Sequence, residues 1–151
     1  MNVADGWRQV SGPRIVHGDL PLRIEGVVKP WSMDVGHSKL HLRGIIGDQE
    51  GDDDLRVLDL VFHNVSRICV PDVCRRFALR VASAEQKAAE EERLGMRWPY
   101  GTMFLLDRDR ATDYVVAGRV YWAEVGVSPA DPSPLLGEHG DTAVPDEIFF
   151  A

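Results

Sequence analysis

Cysteine is scarce in this chain, with two residues in 151, Cys69 and Cys74. Two thiols cannot build a disulfide framework, and their spacing is not that of a C-x-x-C redox or zinc motif, so both read as reduced, packed thiols. Long apolar runs are missing as well. No window approaches the ~20 apolar residues that span a bilayer, and the start, MNVADGWRQV, has neither the basic residues nor the apolar core of a signal peptide. A cytoplasmic protein without membrane contact is therefore expected. The G-x-S-x-G, P-loop, G-x-G-x-x-G and H-E-x-x-H patterns are absent too, which removes the usual sequence grounds for a serine hydrolase, a nucleotide-binding enzyme or a zinc protease. Basic residues run out early: none follows Arg119, whereas Glu124, Asp131, Glu138, Asp141, Asp146 and Glu147 do.

What is present suits one hydrophobic core. The chain is 44% hydrophobic and 27% charged, a globular balance, and its 17 basic against 24 acidic residues leave a net charge of -7. Acidity repels nucleic acid and anionic lipid and draws basic surfaces, so a basic protein is the expected partner.

Residues 1–20, rich in Gly, Pro and Asp, read as an irregular lead-in, and 21–125 as a single β-rich domain. Residues 126–151, with prolines at 129, 132, 134 and 145, read as an acidic, linker-like tail. Strand-like alternation appears at Leu22 to Val28, stopped by Lys29-Pro30-Trp31, and again around Lys39 to Ile46, Leu55 to Val65, Ile68 to Val70 and Arg76 to Val81. It returns at Thr102 to Leu106 and at Tyr114 to Val125, whose two apolar faces suggest a central strand. The stretch SAEQKAAEEERLG differs: Ser83 and Gln86 stand at capping-box spacing and Gly95 is a natural stop, which predicts one helix at about 84–94. The fold class is mainly β or α+β, an antiparallel sandwich or half-open barrel of about six or seven strands with that helix.

The segment HSKLHLRG places His37 and His41 four residues apart. On a helix that spacing can hold a metal, but the alternation of Leu40, Leu42 and Ile46 against Lys39, His41 and Arg43 marks a strand, where the two rings stand about 13 Å apart. The neighbouring strand offers Asp59 and His63. Two registers keep the apolar faces matched: one sets His41 opposite Asp59 and His37 opposite His63, the other Arg43 opposite Asp59 and Lys39 opposite His63. The first gathers His37, His41, Asp59 and His63 into a candidate divalent-metal set. The plainer reading is an exposed sheet face with paired polar side chains.

Asp48, Glu50, Asp52, Asp54 and Asp59 echo a calcium loop, but with glycine at the wrong position and Asp for the closing Glu, so a solvated acidic turn is preferred. Arg67, Arg75, Arg76 and Arg80 form a local basic patch that suits either an anion or pairing with the chain's own acids. Two candidate partner-binding elements remain: the rigid aromatic loop carrying Trp98 and Tyr100, and the chain end, where Glu138, Asp146 and Glu147 precede Ile148, Phe149 and Phe150.

Three functions follow as expectations. The leading one is a small acidic binding protein, in its concrete form an inhibitor or immunity-type protein for a basic enzyme such as a nuclease toxin. The second is a metal- or ligand-binding β-barrel enzyme using the His37/His41/Asp59/His63 face. The third is a homo-oligomer closed by its C-terminal tail. No cofactor is expected apart from the divalent metal of the second reading, and no catalytic residue is assigned.

Overall fold

The computed structural model describes residues 12–47, 55–137 and 144–151, with the backbone alone at His37. Among these residues eleven strands and one helix follow in the order β1 (Arg14–His17), β2 (Leu22–Arg23), β3 (Gly26–Asp34), β4 (Lys39–Ile46), β5 (Arg56–His63), β6 (Arg67–Cys69), β7 (Phe77–Val81), α1 (Ala84–Leu94), β8 (Thr102–Asp107), β9 (Tyr114–Ala117), β10 (Arg119–Val125) and β11 (Glu147–Phe150). They form two sheets, a six-stranded one ordered β1-β11-β10-β5-β4-β3 and a five-stranded one ordered β2-β7-β8-β9-β6. Pairing is antiparallel except between β1 and β11, and neither sheet closes into a barrel. This is the β-sandwich with one helix that the alternation predicted.

The core lies between the sheets. Leu42, Leu60 and Val120 of the larger sheet meet Leu79, Phe104 and Leu106 of the smaller, with Phe62 set edge-on to Phe104 at 5.7 Å. Period-two alternation sends these side chains inward and their neighbours outward. The helix begins as expected: the Ser83 hydroxyl accepts from the Gln86 N–H, the Gln86 side chain accepts from the Ser83 N–H, and Gly95 ends it at φ 65°.

Three stretches depart from the sequence reading. β3 does not stop at Pro30 but runs on to Asp34, because β3 is the sheet edge and a missing N–H costs little where no further strand would accept it. A bulge between Pro30 and Ser32 absorbs the irregularity. Tyr114 to Val125 is not one central strand. It divides at Gly118 into β9 of the small sheet and β10 of the large one, where Gly118 donates to the His63 carbonyl at 2.9 Å and a side chain would crowd Asn64. Both apolar faces of that stretch are used, in different sheets.

The third departure concerns the ends of the chain. Part of the supposed lead-in is β1, and the end of the supposed tail is β11, inserted between β1 and β10. Phe149 points inward and stacks on Trp122 at 6.0 Å, and Ala151 exchanges two 3.0 Å backbone hydrogen bonds with Val120. Three large apolar residues in a row need somewhere to be buried, and the body of the protein supplies it.

Candidate binding face

Each sheet has an outer face, and each face has its own cover. On the small sheet Met103, Leu105, Tyr114 and Val116 point outward and pack against buried Trp98, with Leu94 of the helix beside them. Trp98 is fixed by its backbone: its N–H donates to Glu91 Oε2 at 2.7 Å, and its carbonyl accepts from Lys87 Nζ at 2.7 Å. Trp98 is thus a core residue, and Tyr100, 96% exposed on the turn that follows, is the aromatic presented to solvent. A shallow cavity of about 260 Å³ lies beside this turn.

On the large sheet the register is the second of the two that the apolar pattern allowed, with Arg43 opposite Asp59 and His41 opposite Val61. The face is not exposed, as the plainer reading supposed: His41, Arg43 and Asp59 are 1%, 0% and 0% accessible. The cover is the chain after β10. Arg43 Nε and Nη2 bond both oxygens of Asp59 at 2.8 and 2.9 Å, and Nη1 donates to the carbonyls of Pro129, at 2.9 Å, and Asp131. Trp31 lies over the guanidinium at 5.1 Å. One arginine therefore ties two strands to an irregular segment through four hydrogen bonds, with its charge neutralised by Asp59.

Burial by itself would raise the Asp59 carboxyl, but the Arg43 hydrogen bonds, with His41 and Ser133 adding to them, bring it down to about 2. His41 Nε2 sits 2.8 Å from Asp59 Oδ1 but off the line of a hydrogen bond. Its Nδ1 lies 3.4 Å from the Ser32 hydroxyl. Serine, histidine and aspartate stand in the order of a nucleophilic relay. Arg43 bonds both oxygens of the same carboxylate, so Asp59 is shared between the histidine and the guanidinium that holds the segment after β10.

The metal candidates are only partly brought together. His41 and Asp59 touch; His63 is four strand residues beyond Asp59, about 13 Å by strand rise; the His37 side chain lies outside the described residues. Among the described residues no three His, Cys, Asp or Glu side chains gather to hold a metal ion. Of the calcium-like set, Asp48, Glu50, Asp52 and Asp54 lie outside the described residues, and so does Glu138 of the partner-binding set. Three of the four patch arginines bond within the protein: Arg67 donates to the Tyr114 hydroxyl at 2.9 Å, Arg76 pairs with Asp109, and Arg80 bonds the carbonyls of Asp107 and Arg110, while Arg75 is exposed. Cys69 and Cys74 are unpaired, and burial pushes the Cys74 thiol up to about 11.

Beyond the charged pin the cover leaves a gap. Ser133 caps a short 3-10 turn, Pro134–Leu136, by accepting from the Leu135 N–H at 3.2 Å, and this turn hangs Leu135 over the sheet. Beneath and beside it Ile15 of β1, Ile148 of β11, Tyr121 of β10 and His63 of β5 complete an apolar cavity of about 180 Å³. His63 sits edge-on to Tyr121 at 4.9 Å, and burial, with Lys39 adding to it, lowers its pKa, so the ring is neutral at pH 7. The partner-binding candidates of the chain end divide about this cavity: Ile148 lines it, Phe150 lies next to it near Tyr121, Phe149 is in the core, Glu147 pairs with Arg14 at 2.6 Å, and Asp146 is exposed.

The sequence reading missed the cover and therefore the cavity. One signal was available: in SPADPSP the prolines have no N–H to give, leaving carbonyls in search of donors. The chain matches no family model, no curated protein and no solved structure.

Proposed function

We propose that this protein is a small cytosolic protein-binding module that grips a basic partner on the outer face of its larger sheet, at β1, β11 and β10. The observation that carries this reading is the cavity walled by Ile15, His63, Tyr121, Leu135 and Ile148. At about 180 Å³ it is smaller than the ~300–1,000 Å³ of small-molecule sites and suits one apolar anchor side chain of a partner. Ile15, 58% exposed, forms its accessible rim.

Charge supports the choice of partner. Segments 48–54 and 138–143 carry seven acidic residues and no Lys or Arg. A field of that sign speeds association with a basic surface. An inhibitor or immunity-type role toward a basic enzyme is the concrete form of this reading, and the unpaired cysteines fit a reducing compartment. No helix of the described residues is long and apolar enough to cross a membrane.

The test is capture from a lysate by the full chain and by Ile148→Asp, at rising salt. A basic protein retained by the first, lost from the second and released by salt agrees with the proposal. Equal capture by both chains refutes it.

A further inference from the structure

The partner's mode of attachment can be taken further, on the reading that this face binds protein. Arg14 and Gly18 donate their N–H groups to the carbonyls of Asp146 and Phe150, at 2.8 Å each, so the even-numbered residues of β1 face β11. Strand alternation then turns the N–H and C=O of Ile15 and His17 away from β11, along an edge that no other strand of the described residues pairs. The opposite edge is guarded: β3 carries Lys29, Pro30 and a bulge, devices that discourage a further strand. β1 has no proline, no lysine and no bulge. Its Ile15 also lines the cavity, so backbone hydrogen-bonding groups and a side-chain pocket lie together.

We infer that a partner adds an extended strand to the β1 edge and drops one apolar side chain into the cavity under Leu135. Backbone hydrogen bonds supply the affinity of such an addition, and the pocket its specificity. Carboxylates bracket the edge. Asp146 and Glu147 stand at its start and exposed Asp19 follows two residues past its end; of the two arginines beside it among the described residues, Arg14 is neutralised by Glu147 and Arg119 lies over the Phe150 ring. The added strand is therefore basic. A second copy of this chain is the poorer occupant, since two bodies of net charge -7 repel.

The probe is a displayed library of random ten-residue peptides, from which an enriched sequence is synthesised and titrated against the full chain. Strand addition predicts basic peptides with an apolar residue at their centre, and about a tenfold loss of affinity when the amides of one parity are N-methylated but not those of the other. It predicts the same loss with His17→Pro, which deletes an outward N–H without touching the cavity. The peptide chemistry decides the matter even if that variant folds poorly. Binding insensitive to N-methylation and to His17→Pro yet lost in Ile148→Asp overturns strand addition and leaves the pocket standing. Failure to enrich any peptide also overturns it, the binding-module reading then resting on the capture experiment alone. A dimer in sedimentation that His17→Pro dissolves overturns it in favour of a second copy.

Discussion

The two outer faces of this sandwich are sealed by different physics. On the smaller sheet a capped helix and Trp98 lie over Met103, Leu105, Tyr114 and Val116, a second apolar core in miniature. On the larger sheet an irregular proline-rich segment is held by Arg43, Asp59 and the carbonyls of Pro129 and Asp131. Apolar packing is tolerant and fills its space; a charge network fixes a few atoms and leaves the rest of the surface as it falls. The cavity beside Leu135 is a product of the second kind of seal.

The largest effect should come from breaking the charged seal on one side only. Asp59→Ala strands a buried guanidinium and is expected to cost about 3–5 kcal/mol in urea unfolding, whereas the apolar pair Arg43→Met with Asp59→Leu should come close to wild type. The apolar seal is expected to lose about 3 kcal/mol on Trp98→Ala, with no rescue by a second substitution of its hydrogen-bond partners. Acid should separate the two seals. The folded Asp59 pKa, about 2, lies below the ordinary carboxylate value, so its contribution of about 2 kcal/mol is fully present at neutral pH and is lost as pH falls below about 5 toward 2. Unfolding followed across that window in wild type and in the doubly substituted Arg43→Met, Asp59→Leu protein should show a steeper slope in the former, since Glu90, Asp107 and Glu124, also lowered, remain in both. Smallest of all, Tyr100→Ala should shift stability by less than about 0.5 kcal/mol, since its ring rests on almost nothing.

The same contrast explains how much could be read in advance. The helix, its cap and its stop were legible because they depend on neighbours in sequence, and the β-sandwich because alternation marks one buried face. Arg43 and Asp59 were placed opposite one another in one of two allowed registers, but apolar pairing alone cannot choose between registers that both keep the core matched. Trp98 and Tyr100, two residues apart, looked equivalent, and only the position of the helix buries one and exposes the other. Residues 126–137 looked like a linker, because a segment held by its carbonyls has no periodicity to show. β1 and β11 were hidden for a related reason: four residues are too short for a pattern, and each is a strand only because the other end of the chain lies beside it.

Hydrogen exchange over residues 128–136 tests the charged seal most directly, compared between wild type and the folded Arg43→Met, Asp59→Leu variant. If Arg43 holds the segment to the sheet, the amides of Asp131, Leu135 and Leu136, which bond Ser128 and Ser133, exchange at least about tenfold faster in the variant while those of β5 and β10 stay unchanged. Equal exchange in the two proteins would mean that the segment is held by something other than its charge network, and the account of this face would be wrong.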